Sequence, residues 1–215
     1  MSLTLYYHPL SSFCQKVVVA LHEKGIPFEG EIVDLSNEES RAAFLKVWPI
    51  GKFPVIRDRE RKRTVPESSI IIEYLDLHFP GTRPLLPADP ALALEARLRD
   101  RFYDLAVEVP MQKIITDRLR PAGKSDPFGV EQAHAALETA YDLVEAQMAG
   151  RTWAVGEEFG IADCAAAPAL FYANHAHPIG AARKNVTAYL ERLLARPSYA
   201  RALEAAKPYF ANLPK

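Results

Sequence analysis

The sequence predicts a small α/β domain followed by an all-helical domain. Three observations predict this order. Short β-rich segments alternate with helical patterns up to about residue 79, and four prolines lie between residues 80 and 90. Beyond them the chain is rich in Ala, Leu, Arg and Glu at helical spacing. We therefore expect an α/β domain at 1–79, a linker at 80–90 and a helical domain at 91–215.

The first elements of the α/β domain follow from local pattern. Residues 3–7 are β-rich and precede Pro9, which is typical of a strand. Four apolar residues then recur at helical spacing: Cys14, Val17, Val18 and Leu21. Residues 28–35 predict a second strand, and residues 36–48 predict a helix that Ser36 caps, with Glu39 completing a capping box.

Two further strands and a third helix are predicted to complete this domain. Pro54 opens a third strand, a position that proline tolerates in a sheet. The charged residues 57–63 indicate a loose, solvated turn into a short fourth strand at 62–65. A helix follows, with Glu67 and Ser68 in its first turn.

The second domain is predicted to contain helices only. Asp89 and Asp126, each followed by proline, are typical helix starts. They predict a long helix to about residue 119, kinked at Pro110, and another to about residue 148. Further helices are expected near 161–172, despite Pro168, and near 183–195 and 198–206.

Composition excludes several classes of protein. The 215 residues are 49% hydrophobic and 25% charged with a net charge of −1, so neither nucleic acid nor an anionic membrane is an expected partner. Two cysteines are too few for a disulfide framework, no apolar run approaches the length of a membrane span, and we expect a cytoplasmic protein. The histidines His134, His175 and His177 lack a matching Cys or carboxylate pattern, so no metal site is expected.

The turn between the first strand and the first helix is suited to chemistry on an anion. Ser11 or Ser12 would cap the helix, where free N–H groups and the positive helix end stabilise negative charge. The spacing Ser11-x-x-Cys14 resembles a redox Cys-x-x-Cys motif whose first thiol has become a hydroxyl. Such a hydroxyl can donate a hydrogen bond to a thiolate that another molecule supplies. A plain Ser cap with Cys14 as core filler explains the same residues.

Two other features are expected at the same edge of the sheet. The backbone of Phe53, before Pro54, could pair with an extended peptide, although X–Pro bonds are usually trans. Glu67 and Ser68 begin a second helix whose N-terminus suits a carboxylate, or they serve only as a cap. A short peptide with a thiol, a free amine and a free carboxylate fits all three features.

Over nearly its whole length the chain resembles the cytosolic glutathione transferases. The resemblance rests on the turn at 11–14, the segment at 52–55, Glu67-Ser68 with the helix at 71–75, and residues 159–163 in the helical half. It implies a thioredoxin-like first domain, a homodimer, glutathione as cosubstrate, a role in detoxification and a cis Pro54.

The resemblance also implies roles for individual residues. Ser11 would hydrogen-bond the glutathione sulfur, as the catalytic Ser does in theta-, delta- and zeta-like members. The Phe53 backbone would pair with the cysteinyl part and Lys52 would lie near the glycyl end. Glu67 would meet the γ-glutamyl amine and Ser68 its carboxylate.

The first turn departs from the usual pattern of these proteins. Phe13, which we count among the glutathione contacts, and Gln15 stand where many relatives have Pro and Arg. Whether Ser11 or Ser12 contacts the sulfur is therefore open, and Cys14 is a third candidate. Gly160 stands where relatives have Ser or Thr, so we expect Asp163 to cap its helix from one side only.

A pocket for an electrophile is expected between the domains. Leu10 would form one wall, and candidates for the other lie at helical spacing on the long helix: Tyr103, Val107, Met111 and Ile114. Packing in the core of the helical bundle explains the spacing of these four residues equally well. The expected activity is addition of glutathione to small hydrophobic electrophiles. The alternatives are glutathione-dependent isomerisation, thiol–disulfide or peroxide reduction through Cys14, and a non-catalytic regulatory module.

Overall fold

A four-stranded sheet forms the centre of the first domain. The computed structural model describes residues 2–80 and 83–212. Its strands are β1 (Leu3–Tyr7), β2 (Glu29–Ile32), β3 (Val55–Asp58) and β4 (Arg63–Pro66), and its helices are α1 (Ser12–Glu23), α2 (Glu38–Val47) and α3 (Ser68–His78). The strand order is β2-β1-β3-β4, with β1 and β2 parallel and the other pairs antiparallel. The thioredoxin-like arrangement is confirmed.

The register of the sheet brings the three candidate turns together. Tyr6 in β1 lies opposite Val55 in β3, and Val55 lies opposite Pro66 in β4. The end of β1, the start of β3 and the end of β4 are therefore at one edge. The turns that follow or precede them contain Ser11, Pro54 and Glu67.

Helix α1 is the central packing element. Apart from Phe13, its apolar residues are almost fully buried, because the helix packs against α3 and against helices α7 (Ile161–Ala176) and α9 (Pro197–Ala206) of the helical domain. Burial of a Val or Leu side chain stabilises a fold by about 1.5–3 kcal/mol. The position of α1 is thus fixed by both domains.

The helical domain differs from the expected pattern at its first long helix. Helix α4 (Pro90–Phe102) passes into a wider π-helical segment at Tyr103–Glu108 before α5 (Val109–Asp117). The irregular segment therefore precedes Pro110, which has no N–H to donate to the preceding turn. The other helices are α6 (Pro127–Gln147), α7 (Ile161–Ala176), α8 (Lys184–Leu194) and α9 (Pro197–Ala206), followed by a 3₁₀ segment at Lys207–Asn212.

Several predicted boundaries are wrong. The cap of α2 is Asn37, whose side chain accepts from the Ser40 N–H at 2.9 Å, and Ser36 instead donates its hydroxyl to Asp34 at 2.6 Å. Strand β2 is shorter than predicted, and α7 continues past Pro168 to Ala176. Residues 81–82 of the predicted linker and 213–215 of the predicted helical domain lie outside the described residues. In the described ranges, no helix has the length and apolar character needed to cross a membrane.

Candidate functional site

Ser11 is the N-cap of α1. Its backbone is extended, with φ −75° and ψ 120°, and its carbonyl accepts the Gln15 N–H at 2.8 Å. Its Oγ accepts the Cys14 N–H at 3.4 Å, which is a long bond. The side chain is half-buried. Accepting this bond leaves the hydroxyl proton of Ser11 available to another acceptor.

Ser12 has a different environment although it is the next residue. It is 5% exposed, and its hydroxyl donates to Oε1 of Glu108 in the π-helical segment. Gln112 also donates to this oxygen, at 3.3 Å. Burial raises the pKa of Glu108 to about 8, the repulsion of Asp104 adds to this, and the hydrogen bond from Ser12 opposes it.

The turn before β3 contains a cis peptide bond between Phe53 and Pro54. This geometry agrees with the resemblance and reverses the expectation from composition. Pro54 is buried, Phe53 is half-buried and Lys52 is exposed. The Phe53 ring stacks near the His8 ring, with centroids 6.4 Å apart.

The start of α3 contains a strained residue. Glu67 has φ 70° and ψ 118°, a region that costs a non-glycine residue about 1–3 kcal/mol. Its carbonyl accepts the Ile71 N–H at 2.8 Å, and its exposed side chain makes no capping bond. Ser68, the first residue of α3, is 5% exposed. Strain of this kind is concentrated at ligand sites.

A cavity of about 260 Å³ lies between these turns and the helical domain. From the first domain it is lined by Phe13, Lys52, Phe53, Pro54, Pro66, Glu67 and Ser68. From the helical domain it is lined by Arg101, Asp104, Leu105, Val109 and Gln112. The structure thus brings together every predicted glutathione contact except Ser11, which lies two residues before Phe13.

The four helical residues predicted to line the electrophile pocket are buried and do not line the cavity. Tyr103, Val107, Met111 and Ile114 are 1%, 0%, 5% and 2% exposed and belong to the hydrophobic core. Helical spacing identifies the most apolar stripe of a helix, and here that stripe packs inside the bundle. Leu10, predicted as the opposite wall, is half-buried and is not one of the residues that line this cavity.

A buried ionic network was not predicted from the sequence. Lys16 of α1 pairs with Asp100 at 2.7 Å and Asp104 at 2.9 Å, and it donates to Ser69 at 2.9 Å. Ser69 donates to Asp100 at 2.6 Å. Burial raises the pKa of Asp100, while Lys16 opposes the shift. This network connects α1, α3, α4 and the π-helical segment, and its Asp104 lines the cavity.

The missed carboxylates had a recognisable signal. Asp100, Asp104 and Glu108 follow one another at intervals of four residues, which places them along one helix face. Lys16, a basic residue within the apolar run of α1, is the matching signal.

Cys14 is unsuited to nucleophilic chemistry. It is completely buried, and burial raises the pKa of its thiol to about 12, with hydrogen bonds opposing the shift. A thiol in this state supplies almost no thiolate at neutral pH. Within residues 2–80 and 83–212, no group of His, Cys, Asp and Glu side chains has the arrangement of a metal site.

Comparison with family models identifies both halves of the chain. Residues 5–83 match the model described as glutathione S-transferase, N-terminal domain. Residues 127–192 match the model described as glutathione S-transferase, C-terminal domain.

Individual proteins support the same relationship. The chain is 33% identical over 213 residues to glutathione S-transferase 3 of Zea mays, covering 94% of each protein. It is 28% identical over 208 residues to a stringent starvation protein A homolog of Haemophilus influenzae, covering 96% of this chain and 92% of the relative. A crystal structure of a Methylobacillus flagellatus glutathione S-transferase with glutathione bound has a TM-score of 0.84 and 25% identity, covering 94% of this chain and 98% of that one.

Proposed function

The chain belongs to the glutathione S-transferase superfamily, and from this premise we propose that it is a glutathione transferase that adds the thiolate to small hydrophobic electrophiles. The observation that carries the proposal is the half-buried hydroxyl of Ser11 at the N-cap of α1. Ser11 caps the helix as an acceptor, so its proton remains available for a sulfur anion.

The choice between the two serines follows from their hydrogen bonds. A serine hydroxyl has one proton, and that of Ser12 is donated to Glu108. Ser12 is also buried, whereas Ser11 is half-buried. We therefore assign the contact with the glutathione sulfur to Ser11.

The energy needed to form the thiolate is available at this position. A free thiol has a pKa of about 8.5, and lowering it by about two units requires roughly 2.7 kcal/mol. A hydrogen bond from Ser11 to the charged sulfur contributes about 1.5–3 kcal/mol, and the N-terminus of α1 contributes about 0.3–1 kcal/mol. Ser11 stabilises the anion and does not remove the proton, because an alcohol is too weak a base.

The cavity supports binding of the rest of the tripeptide. We assign the cysteinyl part to the backbone of Phe53 beside the cis Pro54, and the glycyl carboxylate to Lys52. The γ-glutamyl group would reach the start of α3, where Ser68 binds its carboxylate and Glu67 its amine. All five side chains line the same cavity as Phe13.

The electrophile would lie against the apolar part of the same cavity. Leu105 and Val109 line it and are 56% and 49% exposed. Phe13 lines the same cavity, and Leu10 directly precedes Ser11 in the chain. These residues replace the buried stripe that the sequence indicated.

A homodimer is part of the proposal. Four apolar side chains on α3 and α4 are more than half exposed: Ile70, Leu77, Leu94 and Leu98. Apolar side chains grouped on neighbouring helices are typical of a protein interface. A second copy of the chain would cover them, and a cytoplasmic location belongs to the same proposal.

The test compares wild-type protein with Ser11→Ala. We expect glutathione to bind both with similar affinity and turnover to fall by about tenfold or more in the variant, which corresponds to about 1.4 kcal/mol of lost stabilisation of the thiolate. Several classes of electrophile should be screened, including cis-alkenes that report isomerisation. No affinity of the wild-type protein for glutathione would refute the proposal.

A non-catalytic regulatory module is the second candidate, because the chain is similar to a stringent starvation protein A homolog as well as to a transferase. The two candidates differ in turnover. Glutathione binding without conversion of any electrophile class, and no effect of Ser11→Ala, would favour the regulatory module.

A further inference from the structure

A buried hydrogen bond joins the site helix to the helical domain. Ser12 is the first residue of α1, and Glu108 is the last residue of the π-helical segment. Both are buried, at 5% and 2% exposure, and the Ser12 hydroxyl donates to Oε1 of Glu108. The bond acts on the residue that directly follows the N-cap, so it constrains the turn that presents Ser11.

Among residues 2–80 and 83–212, no Lys, Arg or His side chain forms an ion pair with Glu108. Its own segment contributes Asp104, which repels it, and α5 contributes the Gln112 amide. Lys16 of α1 attracts it but pairs directly with Asp104. Tyr172 of α7 and Tyr199 of α9 also face Glu108, whose negative charge would contribute to raising the pKa of both phenols.

The two oxygens of Glu108 have different roles. Oε1 accepts from Ser12 and Gln112, whereas Oε2 is buried and has no hydrogen-bond partner in the described part of the chain. Oε1 can accept both hydrogen bonds in either protonation state of the carboxyl group, and burial raises the pKa of Glu108 to about 8, which favours the neutral form at neutral pH. A neutral Glu108 can therefore hold the Ser12 hydroxyl at neutral pH without placing a second anion beside the sulfur.

We propose that Glu108 is a positioning residue: by holding the Ser12 hydroxyl it fixes the first turn of α1 and directs the Ser11 hydroxyl to the glutathione sulfur. The effect of Glu108 on glutathione rests on the proposed function. The effect of Glu108 on the first turn of α1 does not depend on any ligand. A displacement of about 1 Å at a reacting group can reduce a rate by about 100-fold. Because Ser12 directly follows Ser11, a hydrogen bond that holds Ser12 in place therefore affects catalysis.

The experiment uses three substitutions with a matched control. Glu108→Leu keeps a similar size but removes the acceptor, Glu108→Gln retains an acceptor oxygen, and Ser12→Ala removes the donor. Glu131→Gln changes an exposed glutamate on α6. For each protein we would measure amide hydrogen exchange at residues 12–15 without ligand, the pKa of bound glutathione by thiolate absorbance, and kcat and KM.

In Glu108→Leu, we expect amide exchange at residues 12–15 to accelerate about tenfold, as expected for the loss of one buried hydrogen bond. The pKa of bound glutathione should rise by about one unit and kcat should fall about tenfold, while KM for glutathione stays near the wild-type value. Ser12→Ala should behave in the same way, and the double variant should be no worse than either single one. Glu108→Gln and Glu131→Gln should resemble wild type.

Unchanged exchange and an unchanged thiol pKa in Glu108→Leu would overturn the inference. So would a Glu108→Gln variant as impaired as Glu108→Leu, because the acceptor would then not be the relevant feature. If Glu108→Leu does not fold, amide exchange at residues 12–15 in ligand-free Ser12→Ala decides the question, because this readout does not depend on any contact between Ser12 and the sulfur. If the wild-type protein does not bind glutathione, the proposed function fails, and hydrogen exchange still tests the positioning role.

Discussion

Replacing Glu108 by Gln should make the stability of the protein less dependent on pH. The substitution retains an oxygen that can accept from Ser12 and removes the group that titrates. Burial raises the pKa of Glu108 from 4.5 to about 8 in the folded protein. Between these values the folded protein binds a proton that the unfolded chain has released, so stability falls as the pH rises through this window.

The size of the effect follows from this shift. Each pKa unit corresponds to about 1.4 kcal/mol, and most of the interval between pH 6 and pH 9 lies below the raised pKa. Wild-type protein should therefore lose about 3 kcal/mol relative to Glu108→Gln between about pH 6 and pH 9. Titrations of the other groups are common to both proteins and cancel in the comparison.

Urea unfolding at several pH values provides the measurement. The protein concentration should be the same throughout, because a dimer gains stability with concentration. Glu131→Gln serves as the control, since an exposed glutamate should leave the pH profile unchanged. A stability difference between wild type and Glu108→Gln that stays constant within about 0.5 kcal/mol from pH 6 to pH 9 would show that the buried carboxyl is already ionised, and would refute the reasoning.

Three further substitutions test other parts of the structure. Cys14→Ala should leave glutathione-dependent turnover unchanged, and a large loss of activity would instead support thiol chemistry. Lys16→Met should destabilise the fold by about 3–5 kcal/mol in urea unfolding, because Asp100 and Asp104 lose their buried cation; a change below about 1 kcal/mol would contradict this. Asp163→Ala should lower stability by about 2–4 kcal/mol, since the carboxylate accepts from Ala154, Gly160 and Tyr189; an unchanged melting temperature would count against that role.

Local features of the first domain were accessible from the sequence. The strand before Pro9 was indicated by its β-rich composition. The helix starts at Ser11 and Glu67 depend on neighbours within about four residues, because their carbonyls accept the Gln15 and Ile71 N–H groups of the next turn. The same range explains why Asp163, in the first turn of α7 after the N-cap residue Gly160, was correctly predicted to take part in capping the helix. Its carboxylate accepts the Gly160 N–H at 2.9 Å, three residues earlier.

Wrong local choices arose where two polar residues competed for one role. Ser36 and Asn37 can each cap a helix, and the choice of Asn37 depends on the hydrogen bond that Ser36 makes with Asp34. The apolar stripe of the long helix was identified correctly as a stripe. Whether it faces the cavity or the bundle depends on the packing of α6 and α7, which periodicity does not contain.

By itself, the sequence determined the order of the two domains, the serine cap of the first helix, and the turns at Pro54 and Glu67. Only the tertiary structure decided that the Ser12 hydroxyl donates to Glu108, because Glu108 lies in the other domain. The physical reason is the separation in sequence of the groups that interact. Hydrogen-bonded turns and caps are set by adjacent residues, whereas burial, pKa shifts and buried ion pairs are set by whichever distant segments the fold brings into contact.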